Sequence, residues 1–235
     1  MIEGAISVKA VIQNNKREVE RVYIDKDKKT KDFNFIRKLT KQNNIELVEL
    51  ARQQLDEILT GKSHGGIGAI VSKRKQDDFC DGDIFYLNGI EDPFNLGYSL
   101  RTLYAFGVKN VLLNNRDYSL MDMQLLKSSA GAYEMLNIRI VEDEIKEIKE
   151  YKEDGYYIYG LFRGDKARDV FDETFKQKAL FILGGEKRGI ASSLLELCDR
   201  YLYISYGSDF RNALNACGAL DVVATLLYSQ RRKND

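Results

Sequence analysis

Apolar positions along the chain come in short runs separated by longer polar or amphipathic stretches, and the spacing changes from one stretch to the next. Up to about residue 72, EVERVYIDKD, IELVEL and GIGAIVS have the length and β-branched content of strands, whereas DFNFIRKLTKQNN has helical spacing. These predict a small α/β module. The polar, turn-rich stretch KRKQDDFCDGD, Lys73 to Asp83, predicts a boundary. Beyond it, IFYL, NVLL, IRIV, YYIYGLF, ALFIL and YLYI are separated by enough chain for helices, which predicts a mostly parallel sheet covered on both faces. The expected fold class is α/β, with a smaller N-terminal domain over 1–76 and a larger domain over 77–235.

Three stretches carry candidate chemistry. In IEDPFNLGYSLRTLYAFG, Asp92 as N-cap, Pro93 at the first helical position and Gly107 as a stop predict a helix from Pro93 to Phe106. Leu96, Leu100 and Leu103 form its core face, and Pro93, Gly97 and Arg101 lie four apart on a neighbouring one. A glycine there costs helix stability, which a close approach to the backbone would explain, while the plainer reading is that Gly97 packs against another element and Arg101 is a surface charge. The second stretch, ALFILGGEKRGIASSLLELC, reads as a buried strand, a glycine-rich turn and a helix. Such turns lie where open parallel sheets bind ligands. The third, YLYISYGSDFRNALNACGALDVVATLLYSQ, repeats that plan, with Asn212 as the expected N-cap, Asn215 one turn on, and small residues suited to close helix packing.

Composition excludes several classes. The 36 basic residues are balanced by 36 acidic ones, so a polyanionic partner has to be held by local patches such as KDKKTK, SKRK and RRK, each of which also reads as a solvated surface. Cys80, Cys198 and Cys217 are too scattered for a disulfide framework or a metal knuckle and are expected to be packed or idle thiols. His64, the only histidine, has no partner histidine and is expected to be satisfied in a turn or to touch RNA. No stretch is long and apolar enough to cross a membrane, and the N-terminus lacks the order of a secretory signal, so a cytoplasmic protein is expected.

The segments DPFNLGYSLR with FGVKNVLL, SSAGAYEML, LGGEKRGI and ISYGSDFRNALNACGA are similar, in order and spacing, to the three motifs of the SpoU and TrmH family of RNA ribose 2′-O-methyltransferases. The similarity runs from Asp83 to Arg232, and VERVYID with SHGGIGAIV resembles the RNA-binding domain that many members carry. The resemblance implies a C-terminal trefoil-knotted, parallel-sheet methyltransferase domain, a topology that the pattern alone would not suggest. It also implies a homodimer that binds S-adenosylmethionine in the knot, with the catalytic centre at the subunit interface and tRNA or rRNA as substrate. The family's functional asparagine and arginine fall on Asn95 and Arg101, its glutamate on Glu186 and its third-motif asparagine on Asn215. The cofactor loops fall on Leu161, on Gly184, Gly185 and Gly189, and on Ile204, Ala213 and Leu214. Two departures stand out. Ala213 replaces a serine of the third motif, and Ser205 replaces the proline after the strand.

The chemistry implied requires no metal: a ribose hydroxyl attacks a sulfonium methyl, so the site must align three atoms and stabilise an oxygen losing its proton. A guanidinium keeps its own proton at neutral pH, which suits Arg101 to the part of a fixed cation rather than a base. The alternative is a catalytically impaired RNA-binding protein on the same fold, a reading that Ala213 keeps open. A nucleotide-phosphate enzyme finds no GxxxxGK[ST] or GxGxxG sequence to support it.

Overall fold

Each of the apolar runs expected to be a strand is one in the computed structural model, which describes residues 1–61, 64–185 and 189–233. In chain order the first elements are β1 (Ile2–Glu3), α1 (Ala5–Asn14), β2 (Val19–Asp25), α2 (Lys31–Gln42), β3 (Glu46–Leu50), α3 (Arg52–Ile58) and β4 (Ile67–Val71). Then come β5 (Ile84–Asn88), α4 (Pro93–Ala105), β6 (Asn110–Asn114), α5 (Asp122–Ser128), α6 (Ala132–Met135), β7 (Asn137–Val141) and α7 (Glu144–Glu153). The last are β8 (Tyr157–Leu161), β9 (Arg168–Asp169), β10 (Ala179–Gly184), α8 (Ser192–Leu195), β11 (Arg200–Tyr203) and α9 (Ala216–Arg231). They form two compact units, one made of Met1–Lys75 with Asp117–Met135 and the other of Gln76–Arg116 with Leu136–Asp235, so neither is contiguous in sequence.

The first unit holds a four-stranded sheet in the order β1-β4-β2-β3, with β2 and β3 parallel and β4 antiparallel to β1 and β2. Helical spacing puts Phe33, Ile36 and Leu39 of α2 on one face, where they pack with Val8 and Ile12 of α1 and with Val22, Ile24, Ile67 and Ala69 of the sheet. The segment bearing α5 and α6 joins this unit through a buried arginine. Arg17 donates from Nη1 to Asp122 Oδ2 at 2.5 Å and from Nη2 to Glu134 Oε1 at 2.7 Å. Burial alone would lower its pKa, but the hydrogen bonds and charges of Asp122 and Glu134 outweigh that and hold it above the ordinary value.

The second unit is a seven-stranded sheet in the order β7-β6-β5-β10-β8-β11-β9, and every neighbouring pair is parallel. Alternate residues of each strand supply two cores, as a sheet buried on both faces requires. On one face Ile84, Tyr86, Leu112, Leu180 and Ile182 pack with Ile148 and Tyr151 of α7 and Leu194 of α8. On the other, Phe85 and Tyr159 both stack on Phe181, with ring centroids 4.8 and 5.1 Å apart. The exposed edge of β7 is covered by the boundary stretch: Ile138 N donates to Asp77 Oδ2 at 3.0 Å and Ile140 N to Gln76 Oε1 at 2.8 Å. Arg231 near the end of α9 clamps Asp83, at the start of β5, through two hydrogen bonds of 2.8 and 2.9 Å. Late in the chain, β10 lies between β5 and β8, a strand order consistent with the expected threading of the C-terminal segment.

One local expectation needs correction. The third-motif helix starts at Ala216, and its N-cap is Asn215, whose Oδ1 accepts from Gly218 N at 2.7 Å; Asn212 lies in the exposed loop before it. Both are good capping residues, and the cap falls where the backbone turns from extended to helical, which Asn215 does at φ −64 and ψ 161. The helix expected after the glycine turn is present, as the single turn Ser192–Leu195 that precedes β11.

Candidate active site

Because β10, β8 and β11 are parallel neighbours, the chain segments that leave them emerge side by side at one edge of the sheet. Together with the start of α9 they line a cleft of about 470 Å³. Leu161 is the last residue of β8, Gly184 ends β10 with Gly185 and Gly189 in the turn beyond it, and Ile204, Ala213 and Leu214 belong to the loop between β11 and α9. All the positions to which the sequence resemblance gave the cofactor therefore lie on one wall or floor of this cleft.

Glycine is required here by geometry. A Cβ on Gly185 would overlap the carbonyl oxygen of Gly89, and one on Gly184 would overlap the backbone of Gly189 and Ile190. Gly189, at φ 62, donates its N–H to Gly185 O at 3.0 Å. With apolar walls from Leu161, Leu183, Leu202, Ile204 and Leu214, this backbone cradle suits a flat, partly apolar ligand with a few polar ends.

Residues not foreseen from sequence also line the cleft, chief among them Phe162, Arg163 and Tyr206. The Arg163 guanidinium lies 5.6 Å from the centre of the Tyr206 ring, and the Tyr206 hydroxyl accepts from Leu214 N at 3.0 Å. Their signal was positional: each comes within three residues of the end of β8 or β11.

The residues expected to be catalytic are distributed unevenly. Asn215 lines the cleft and caps α9. Asn95 is in the first turn of α4, where Asp92 Oδ1 accepts from Phe94 N and Asn95 N at 3.0 and 2.8 Å. Its carbonyl oxygen accepts from Cys217 Sγ at 3.1 Å, so the starts of α4 and α9 are neighbours. Leu96, Leu100 and Leu103 are buried as expected, and so is Gly97. Arg101 is exposed, does not line the cleft, and has no ion pair or hydrogen bond among the described residues. Glu186 lies outside the described residues.

Other reactive groups are committed elsewhere. Burial pushes the Cys198 thiol up to about 12, which leaves it protonated and no nucleophile at neutral pH. His64 is satisfied within its turn, accepting from Gly66 N at Nδ1 (3.1 Å) and facing Asp56 Oδ1 from Nε2 at 2.9 Å. No described helix is long and apolar enough to cross a membrane.

Comparison with known proteins shows the family and the fold. The model of the SpoU rRNA Methylase family matches residues 83–225, and a model described as RNA 2′-O ribose methyltransferase substrate binding matches residues 1–76. A protein of Staphylococcus haemolyticus assigned to the TrmH family of tRNA/rRNA methyltransferases is 26% identical over 244 residues, covering 99% of this chain and 96% of its own. Among solved structures, an RNA methyltransferase of the TrmH family from Porphyromonas gingivalis aligns with a TM-score of 0.82 at 19% identity, over 98% of this chain and 89% of that one. The SpoU methyltransferase AviRb from Streptomyces viridochromogenes, solved in complex with the cofactor AdoMet, aligns with a TM-score of 0.79 at 20% identity, over 99% and 90% of the two chains. With a family model that matches residues 83–225, more than half of its length, the chain belongs to the SpoU rRNA methylase family, the TrmH/SpoU RNA methyltransferases.

Proposed function

We propose that this protein transfers a methyl group from S-adenosylmethionine to a ribose 2′-hydroxyl of tRNA or rRNA, with residues 1–76 engaging the RNA and residues 77–235 performing the transfer. The reading rests on one observation above all: the positions that the motifs give to the cofactor converge on a single cleft, where Gly184 and Gly185 have no room for side chains. When bound, S-adenosylmethionine supplies an electrophilic methyl group on a sulfonium. Leu161, Ile204 and Leu214 would enclose its apolar parts, and Gly184, Gly185 and Gly189 would admit it against the backbone.

Arg101 would hold the 2′-oxygen and its neighbouring phosphate. Its guanidinium offsets the negative charge that grows on the oxygen, while the hydroxyl proton leaves to water. Asn215 would fix the loop before α9 through its cap, and Asn95 and Glu186 would orient the nucleotide. Only RNA offers the 2′-hydroxyl, so the reaction itself selects RNA over DNA.

Since Arg101 is absent from the cleft of its own chain, the site is completed in a homodimer, with α4 of a second copy bringing the guanidinium to the cleft. The outer face of α4 suits that contact: Phe94 and Tyr98, four residues apart, are each 51% exposed. Tyr98→Glu, which sets a charge on that face, is expected to weaken self-association at least about tenfold and to abolish transfer at dilute protein. Light scattering across a concentration series checks this, and an unchanged dimer would remove the face from consideration.

The test of the function is calorimetry with S-adenosylmethionine, followed by mapping of ribose methylation in cellular RNA with and without the protein. Binding with a mapped 2′-O-methyl site is the expected outcome. Absence of binding would leave the non-catalytic RNA-binding reading that Ala213 permits.

A further inference from the structure

At the carboxyl ends of β5 and β6, Tyr86, Asn88, Asn114 and Glu144 form a hydrogen-bonded group that no step above uses. The Tyr86 hydroxyl donates to Glu144 Oε2 at 2.8 Å and accepts from Asn88 Nδ2 at 2.8 Å and from Asn114 Nδ2 at 3.0 Å. Its one proton and two lone pairs are all engaged, so the hydroxyl is held in a single orientation. The other end of the Asn114 amide is fixed just as firmly. Gly89 N can only donate, so the Asn114 atom it meets at 2.5 Å must be Oδ1.

Gly89 is the residue whose carbonyl oxygen abuts Gly185, and at φ 83 it turns the chain out of β5. Three residues later Asp92 caps α4. Between them, Glu91 O accepts from Arg116 Nη1 at 3.2 Å, a second tie from the chain that follows β6. We infer that Asn114 is a positioning residue for methyl transfer: its carboxamide seats the Gly89–Asp92 loop against the Gly184–Gly185 turn and thereby sets both the floor of the cleft and the start of the helix that carries Arg101. This inference rests on the reading of that turn as the S-adenosylmethionine site. Asn114 is also the last residue of β6, close before the chain enters the Asp117–Met135 segment of the first unit.

Asn114→Ala and Val111→Ala separate positioning from mere stability, because Val111 lies on the same strand, fully buried in the core and away from the loop. Both variants should melt earlier than wild type. Only Asn114→Ala should raise the Kd for S-adenosylmethionine, by about three- to tenfold, the scale of one net hydrogen bond, with kcat falling as well. Val111→Ala should stay within about twofold in Kd, since additivity holds for sites with no shared partners. If Asn114→Ala does not fold, Tyr86→Phe, which keeps the ring and frees the amide, must move Kd in the same direction. Folded Asn114→Ala (or, in its place, Tyr86→Phe) with wild-type Kd and rate overturns the inference, as does an equal Kd shift in Val111→Ala. Wild-type protein that does not bind S-adenosylmethionine at all overturns the proposed function and this inference with it.

Discussion

Arg17→Met is expected to destabilise the N-terminal unit by about 3–5 kcal/mol, the cost of breaking a buried ion pair from one side. The Arg17 and Glu134 side chains are fully buried, and Asp122 is nearly so. Glu134 Oε1 accepts from both Nε and Nη2 of Arg17, and its second oxygen is buried with no hydrogen-bond partner among the described residues. Removing the guanidinium therefore leaves two carboxylates without their counter-charge, one fully buried and one nearly so. Methionine fills much of the volume, so the loss is one of charge compensation rather than of packing. The triple variant Arg17→Met, Asp122→Leu, Glu134→Leu separates the two, because replacing the whole group by apolar residues recovers most of the stability. Urea unfolding monitored in the full chain reads both. A loss under about 1 kcal/mol for the single variant would mean that the carboxylates find water, and the arginine would then not be what joins α5 and α6 to α1.

That arginine also marks where the sequence stopped being legible. Local periodicity sufficed for α2, α4 and the strands, because each of those elements buries a face whose spacing is written within a dozen residues. The end of α4 was readable to within a residue, since Asp92, Pro93 and Gly107 act through short-range backbone geometry. By contrast, Arg17 meets partners 105 and 117 residues away, and no pattern near it announces that Asp117–Met135 folds with the first unit. The site divides in the same manner. Its glycines, Leu161 and Ile204 were identifiable only through the resemblance to the SpoU and TrmH motifs. Arg163 and Tyr206 reach the cleft only because β8 and β11 are neighbours, which follows from the sheet order and not from either segment alone. Asn212 and Asn215 show the limit of capping rules: two good caps three residues apart differ only in where the extended backbone ends.

Arg101→Lys is expected to reduce kcat by about 10²- to 10³-fold, the scale of losing one preorganised donor at a reacting oxygen, while leaving fold and cofactor affinity unchanged. The fold should be indifferent because Arg101 is exposed on α4 and bonds to nothing among the described residues. Affinity should be indifferent because the guanidinium brought by the second copy is proposed to hold oxygens of the RNA and not the cofactor. What lysine cannot supply is shape. A guanidinium presents paired donors in one plane, able to hold a phosphate oxygen and the 2′-oxygen at once, whereas an ammonium is a single, strongly hydrated point. Positive charge is retained in the variant, so a simple electrostatic role predicts near wild-type turnover, and a positioning fork predicts the loss. Single-turnover methylation of an RNA transcript, with S-adenosylmethionine Kd and melting temperature measured in parallel, distinguishes them. A rate within about threefold of wild type, less than 1 kcal/mol of barrier, would remove the forked geometry from the mechanism and leave Arg101 as an RNA-binding charge alone.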